Sequence, residues 1–329
     1  MNVTVLGAGS WGTTVASLTT ALNPTTLWAR NPEVAEEVNS SRTNHRYLPA
    51  ATLPRRLRAT ADMEEAVRDA DVLIVAVPSD GFRATLQETR GWLRPWVPVV
   101  SLTKGIEAGT FKRMTQVVQE LLPGHPRAAL SGPNLAREIM AGQAAASVIA
   151  TEDQGVATAL QGVLQHRLFR VYRNHDVIGC EIGGALKNVI AIAAGIGEGL
   201  GVGDNTRAAV ITRGLAELTR LGVAMGAEPQ TLAGLAGMGD LMATCMSPYS
   251  RNRTVGEMLG RGRPLEDILS EMHMVAEGVN TARLALGLAA QYGVDLPICH
   301  EIHEVVTGRQ KPLDAYRGLR HPGHESDPG

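Results

Sequence analysis

A lysine stands alone in the stretch GCEIGGALKNVIAIAAG, residues 179–195. Around Lys187 lie glycine, alanine and isoleucine, with no carboxylate within four positions on either side. Its stem can lie along apolar surface while the ammonium reaches water. Alternatively, burial withdraws the amine from water, which favours its neutral form and makes it a base. Other chemistry-bearing residues have to decide. VTVLGAGSWG sets Gly7, Gly9 and Gly12 at GxGxxG spacing. Gly7 permits a tight turn, Gly9 lets a pyrophosphate approach the backbone, and Gly12 lets a helix pack closely on a strand. Free N–H groups at that helix start would face the phosphates. Downstream, LWARNPE presents Arg30 where an acid would grip ribose hydroxyls. A guanidinium suits a 2′-phosphate, so NADP is preferred and NAD remains usable.

Further signals fall just past apolar runs. AVPSD follows DVLIV, SLTKG presents Lys104, and LSGPN presents Gly132 and Asn134. In α/β sheets the ligand sits beyond the C-terminal strand ends. GLGVGDNTRAAVITRG carries Asn205, Arg207 and Arg213. GLAGMGDLMATCMSPYSRNRTVG carries Asp240 in a glycine turn, then Ser250, Arg251 and Asn252. Hydroxyl, guanidinium and amide donors before a helix start make a phosphate clamp. HEIHE, His300–Glu304, supplies no third ligand and reads as a solvated helix face, so no metal is expected.

The elements must place these residues. From residue 1 to about 173, strand-like runs alternate with helical ones. The strands are NVTVL, TTLWAR, DVLIVAVPS, VPVVSLTKG, RAALSGPN, ASVIA and LFRVYRN. Helices fall between them, including one capped by Asn31 with Pro32 first, and others over 80–92, 109–121 and 153–165. This is the pattern of a doubly wound parallel sheet, a Rossmann-like arrangement. After Asp176 helical spacing takes over: 179–197, 204–222, 228–236, 254–259, 264–271 and 277–292. The expected division is 1–176 for a dinucleotide-binding domain, 177–320 for an all-helical substrate domain, and 321–329 for a disordered polar tail.

Composition narrows the rest. The chain has 329 residues, a formal net charge of −2 and 44% hydrophobic residues. That balance gives no support to a nucleic-acid partner. Cys180, Cys245 and Cys299 are scattered, with no disulfide framework, which points to a reducing cytoplasm. The apolar stretch Val189–Ile196 is too short to span a bilayer.

The quoted motifs, with SLTKGIE, TCMSPYSRNRTVG and EGVNTA, occur in an order that resembles the bacterial NAD(P)-dependent glycerol-3-phosphate dehydrogenases. The resemblance spans about residues 2–318 and is most specific at 185–216 and 244–256. It implies interconversion of sn-glycerol 3-phosphate and dihydroxyacetone phosphate, mainly for phospholipid synthesis. It implies cofactor contacts at Ser10, Trp11, Arg30, Lys104, Ala136, Arg251, Val275 and Glu277. It implies substrate contacts at Lys104, Gly132, Asn134, Lys187, Asp240, Ser250, Arg251 and Asn252, with Lys187 as proton acceptor. The family usually has Ser or Thr where this chain has Asn134. A helical face through Lys187 would also hold Cys180, Gly183, Gly184, Ile190, Ala191 and Ala194. Such a narrow face lets a ligand or another surface approach. Two rivals are weighed: a hydroxyacid or phosphogluconate-type dehydrogenase, and a non-catalytic nicotinamide-nucleotide sensor. SPYSRNRTVG argues against the first, and Lys187 beside a phosphate clamp against the second. A small-molecule substrate is expected, and a homodimer is compatible with the chain.

Overall fold

A computed structural model describes residues 1–272 and 276–318. The expected tail and the cofactor contact at Val275 lie outside the described residues. The chain begins with β1 (Val3–Leu6), α1 (Ser10–Thr19), β2 (Thr25–Trp28), α2 (Pro32–Ser41), β3 (Arg58–Thr60) and α3 (Met63–Val67). It continues through β4 (Val72–Val75), α4 (Ser79–Thr89), β5 (Val99–Ser101), α5 (Met114–Leu121), β6 (Arg127–Ser131) and α6 (Ala136–Met140). Then come β7 (Ala145–Ala150), α7 (Gln154–Leu164) and β8 (Phe169–Asn174). The eight strands form one sheet in the order β3-β2-β1-β4-β5-β6-β7-β8. Val3, Val5 and Ile74 pack into one apolar layer, and Leu6, Leu73 and Val75 into another. The central strands are thus covered on both faces, which is why they read as continuous apolar runs.

The sheet is parallel except at one seam: β7 runs antiparallel to β6, and β8 parallel to β7. The uniformly parallel expectation fails there for a geometric reason. The five-residue α6 rises only about 7.5 Å, too little to carry the chain back along β6. β3 escaped notice because only Ala59 of its three residues is buried. The helix expected from 109 starts at Met114, because Gly109 and Phe111 have φ of +84° and +56°. The backbone there turns back through an Ile106–Arg113 bridge instead.

Past Asp176 the described chain is helical. α8 (Val177–Gly199) is followed by α9 (Asp204–Ala224), α10 (Pro229–Ala233) and a π turn (Leu235–Gly239). Next are α11 (Asp240–Met246), α12 (Arg251–Gly260), α13 (Leu265–Glu271), α14 (Glu277–Tyr292), α15 (Pro297–Val306) and α16 (Pro312–Gly318). Helices α11 and α16 are not among the expected stretches, α15 contains the helix face expected at His300–Glu304, and α12 begins three residues earlier than its spacing suggests. Ser250 explains that start, since its Oγ accepts the Arg253 N–H at 3.3 Å as an N-cap. Asp176 likewise caps α8. α8 is the axis of this half, with α9, α11, α12 and α14 packed around it. Among the described residues it is the one helix long and apolar enough to cross a membrane, and 94% of its most apolar window is buried inside the protein.

Candidate active site

The glycine turn is built as a cradle. Gly7 has φ +109°, and a Cβ there would lie 2.7 Å from the Ala76 carbonyl oxygen. A Cβ on Gly12 would lie 2.0 Å from the Gly7 carbonyl oxygen, so strand and helix touch through backbone alone. Gly9, by contrast, has nothing within 4 Å, which leaves open space before the first turn of α1. That combination fits a dinucleotide pyrophosphate, with the N–H groups of Ser10, Trp11 and Gly12 at the helix start. The Trp11 ring packs on Phe169, centroids 6.1 Å apart, so the residue offers the turn its backbone rather than its indole. Asn44 steadies the turn, donating to the Ala8 carbonyl and Thr13 Oγ1 at 2.9 Å each. No sequence signal singled out Asn44. Arg30 is exposed just beyond β2 and makes no ion pair among the described residues. Ala136 opens α6, which packs against α1.

Beyond the ends of β5 and β6 the chain gathers charge. Lys187 is buried, 6% exposed, so its stem does not carry the ammonium to water. Its Nζ donates to Asp240 Oδ1 and, at 2.6 Å, to Thr244 Oγ1. The other carboxylate oxygen of Asp240 accepts from Lys104 Nζ at 2.7 Å, and Lys104 also donates to the Gly132 carbonyl at 2.8 Å. One carboxylate therefore holds two ammonium groups. Burial pushes the Lys187 amine down to about 8, against the attraction of Asp240 and with help from the Lys104 charge. The glycines of α8 explain the approach. A Cβ on Gly184 would lie 2.8 Å from Ser131 Oγ and 3.3 Å from Lys104 Cγ, and one on Gly183 would lie 2.6 Å from the Ala236 carbonyl. Thr244 and the distant pairing of Asp240 with Lys187 were not legible locally.

The other expected contacts are distributed around this centre. Asn134 donates through Nδ2 to Ser147 Oγ at 3.0 Å, and Ser147 donates onward to the Ser131 carbonyl. One N–H of the amide is thus engaged inside the protein, and the buried Oδ1 has no partner among the described residues. Asn252 donates to Asn188 Oδ1 at 2.9 Å and accepts from the Gly278 N–H at 3.0 Å. Asn188 reaches on to the Lys104 carbonyl at 3.3 Å, so an amide ladder joins α12, α8, α14 and the Lys104 loop. Arg251 is the first residue of α12, exposed and within electrostatic range of Glu277. Glu277 accepts from Ser79 N at 3.3 Å and Ser79 Oγ at 2.8 Å, linking α14 to α4, and burial pushes its carboxyl up. His300 and His303 lie on α15, and no metal-holding cluster of three or more His, Cys, Asp or Glu occurs among the described residues.

A Rossmann-type sheet and a helical half, meeting where Lys104 beyond β5 and Lys187 of α8 share Asp240, define the class: a dinucleotide-dependent oxidoreductase. The patterns of the NAD-dependent glycerol-3-phosphate dehydrogenase N-terminus and C-terminus match residues 2–157 and 176–317. The chain is 56% identical to "Glycerol-3-phosphate dehydrogenase [NAD(P)+] 2" of Sphingopyxis alaskensis, over 100% of this chain and 99% of that one. It is 53% identical to a Mycobacterium avium protein of the same type, over 98% and 96% of the two chains. The crystal structure of glycerol-3-phosphate dehydrogenase from Coxiella burnetii superimposes with a TM-score of 0.93 at 34% identity, covering 97% and 98%. The chain belongs to the NAD-dependent glycerol-3-phosphate dehydrogenase family.

Proposed function

We propose that this protein interconverts sn-glycerol 3-phosphate and dihydroxyacetone phosphate with NAD(P), favouring NADP. The observation that carries the reading is the buried Lys187–Asp240–Lys104 arrangement beside the first turn of α12. Residues 1–176 bind the dinucleotide and 177–320 the substrate. Gly7, Gly9, Gly12, Ser10 and the Trp11 backbone hold the pyrophosphate, and Arg30 faces the 2′-phosphate. Lys104, Ala136, Arg251, Val275 and Glu277 complete the cofactor contacts. Bound nicotinamide supplies or takes the hydride. Neutral Lys187 accepts the hydroxyl proton in alcohol oxidation, and its ammonium protonates the carbonyl oxygen in reduction. Asp240 keeps Lys187 oriented, and Lys104 adds positive charge beside the polarised oxygen. Ser250, Arg251 and the remaining N–H of Asn252 receive the substrate phosphate, with Gly132 and Asn134 lining the other side.

The product serves phospholipid synthesis in the cytoplasm, and the enzyme acts as a homodimer. The direct test is oxidation of NADPH and of NADH with dihydroxyacetone phosphate. Turnover with both, and a lower Michaelis constant for NADPH, is the expected result. Arg30→Ala should raise that constant much more for NADPH than for NADH; equal change would remove the 2′-phosphate role. No turnover with either cofactor would overturn the activity, and a monomer mass by light scattering would overturn the dimer.

A further inference from the structure

Six side-chain atoms are buried without a hydrogen-bond partner among the described residues, and two of them, Ser131 Oγ and Asn134 Oδ1, share one loop. A buried polar atom left unpaired costs free energy, so two together call for a reason. The pleat of β6 aims the first. Ala128 and Leu130 pack in the layer of Val5 and Ile74, whereas Ala129 packs with Val177 and Cys180 of α8. Ser131 lies two residues past Ala129 and so points to the α8 side. It is 3% exposed. Its Oγ and Lys104 Cγ flank one point, where a Cβ on Gly184 would stand 2.8 and 3.3 Å from them. Gly184 is about one turn of α8 before Lys187, so the unpaired hydroxyl borders the charged centre.

Gly132 then bends the chain, with φ +138°. Asn134 is thereby brought to the Ser147 hydroxyl that also holds the Ser131 carbonyl, at 3.0 and 2.9 Å. Ser147 commits its single proton to that carbonyl and has none for Asn134 Oδ1. The pair therefore lacks a group that gives one proton and takes another. Asn134 Oδ1 only accepts, and the Ser131 hydroxyl can donate. A ligand hydroxyl fits both. A ketone oxygen or a phosphate dianion has no proton for Oδ1 and would be repelled by it.

We propose that Ser131 and Asn134 form a subsite for the terminal hydroxyl of the substrate, at the end opposite its phosphate. The inference rests on the proposed reaction and adds Ser131 to it as a specificity-determining residue. Dihydroxyacetone phosphate carries one hydroxyl besides its phosphate. With Arg251 at the phosphate and Lys187 at the carbonyl, that hydroxyl is left for the loop after β6. A site whose buried groups are built for a hydroxyl rejects a ligand that lacks it, because those groups stay unpaired.

The test compares reduction of dihydroxyacetone phosphate with that of hydroxyacetone phosphate, which lacks only the terminal hydroxyl. Wild type should favour the first in kcat/KM by at least roughly a hundredfold. Ser131→Ala should lower efficiency with dihydroxyacetone phosphate roughly three- to tenfold and shrink the preference by the same factor. Ser131→Cys is close to serine in volume but bonds only weakly, and it should do likewise, which separates the lost bond from a cavity. Wild type using both ketones equally would overturn the proposal and leave the reaction standing. So would an equal loss with both ketones in the Ser131 variants, or variants that keep the wild-type preference. Wild type reducing neither ketone would overturn the reaction itself, and the subsite with it.

Discussion

Asp240 holds Lys187 and Lys104 on its two oxygens. Lys187 is the more enclosed, and its amine is pushed down to about 8 by desolvation. The fraction able to accept a proton therefore rises as pH increases through about 8. Glycerol 3-phosphate oxidation should climb through that range and level off, and ketone reduction should decline across it. A pH–rate profile flat through both directions would contradict this. Lys187→Ala should lower turnover by about 10²–10⁴ with cofactor binding nearly intact. Lys187→Arg should not restore it, because a guanidinium stays protonated; a folded Arg variant with near wild-type oxidation would remove the assignment. In the proposed function, Arg251 holds the substrate phosphate. Arg251→Ala should cost about 2–5 kcal/mol in apparent transition-state stabilisation for dihydroxyacetone phosphate. Because Glu277 lies in its range, cofactor affinity has to be measured in parallel. Comparable efficiency of wild type with phosphorylated and unphosphorylated dihydroxyacetone would exclude the clamp.

Helices α8 and α12 pass so closely that glycine is required on both sides. A Cβ on Gly195 would stand 2.0 Å from the Arg253 carbonyl oxygen, and one on Gly256 would stand 2.1 Å from that of Ile192. The contact sets the first turn of α12 against α8, where Asn252 bonds Asn188, the neighbour of Lys187 in sequence. Gly256→Ala should lower stability by about 1–3 kcal/mol or more, since backbone rather than a flexible tip must give way. A thermal midpoint equal to wild type would show that the helices separate freely. This element scale also explains what the sequence revealed. The glycine turn and the Asn31–Pro32 helix start were legible because their signals act within a few residues. The apolar run of β4 was legible because both its faces are covered. The partner of Lys187 was not, because Asp240 is 53 positions away and meets it only after α8 and α11 pack. The bond from Asn134 to Ser147 depends on the antiparallel β6–β7 seam, a pairing that no local pattern announced.

Across the whole molecule, the sheet half and the helical half are tied by buried polar groups. Glu181 on α8 accepts from Thr115 N and Oγ1 at 2.8 and 2.6 Å and pairs with Arg113, while Phe111 sits against Gly287 of α14. Glu217 plays a comparable part within the helical half, with a titration that the whole fold should report. It is 3% exposed on α9 and accepts the N–H groups of Ile298 and Cys299 at 2.7 and 3.3 Å, capping the start of α15. Burial pushes its carboxyl up to about 7, and the two N–H groups only partly oppose that. The folded protein therefore keeps a proton that the unfolded chain releases from about 4.5 upward. Its stabilising contribution is complete below that value and is lost as pH rises through about 7, a change on the order of 3 kcal/mol. Glu217→Gln retains an acceptor oxygen but cannot ionise. Denaturant unfolding of both proteins across this window should give a stability difference that moves in favour of the Gln variant as pH rises. Because all other groups are shared, that difference isolates Glu217. Parallel stability curves for the two proteins would mean that its carboxyl titrates alike in the folded and unfolded chains.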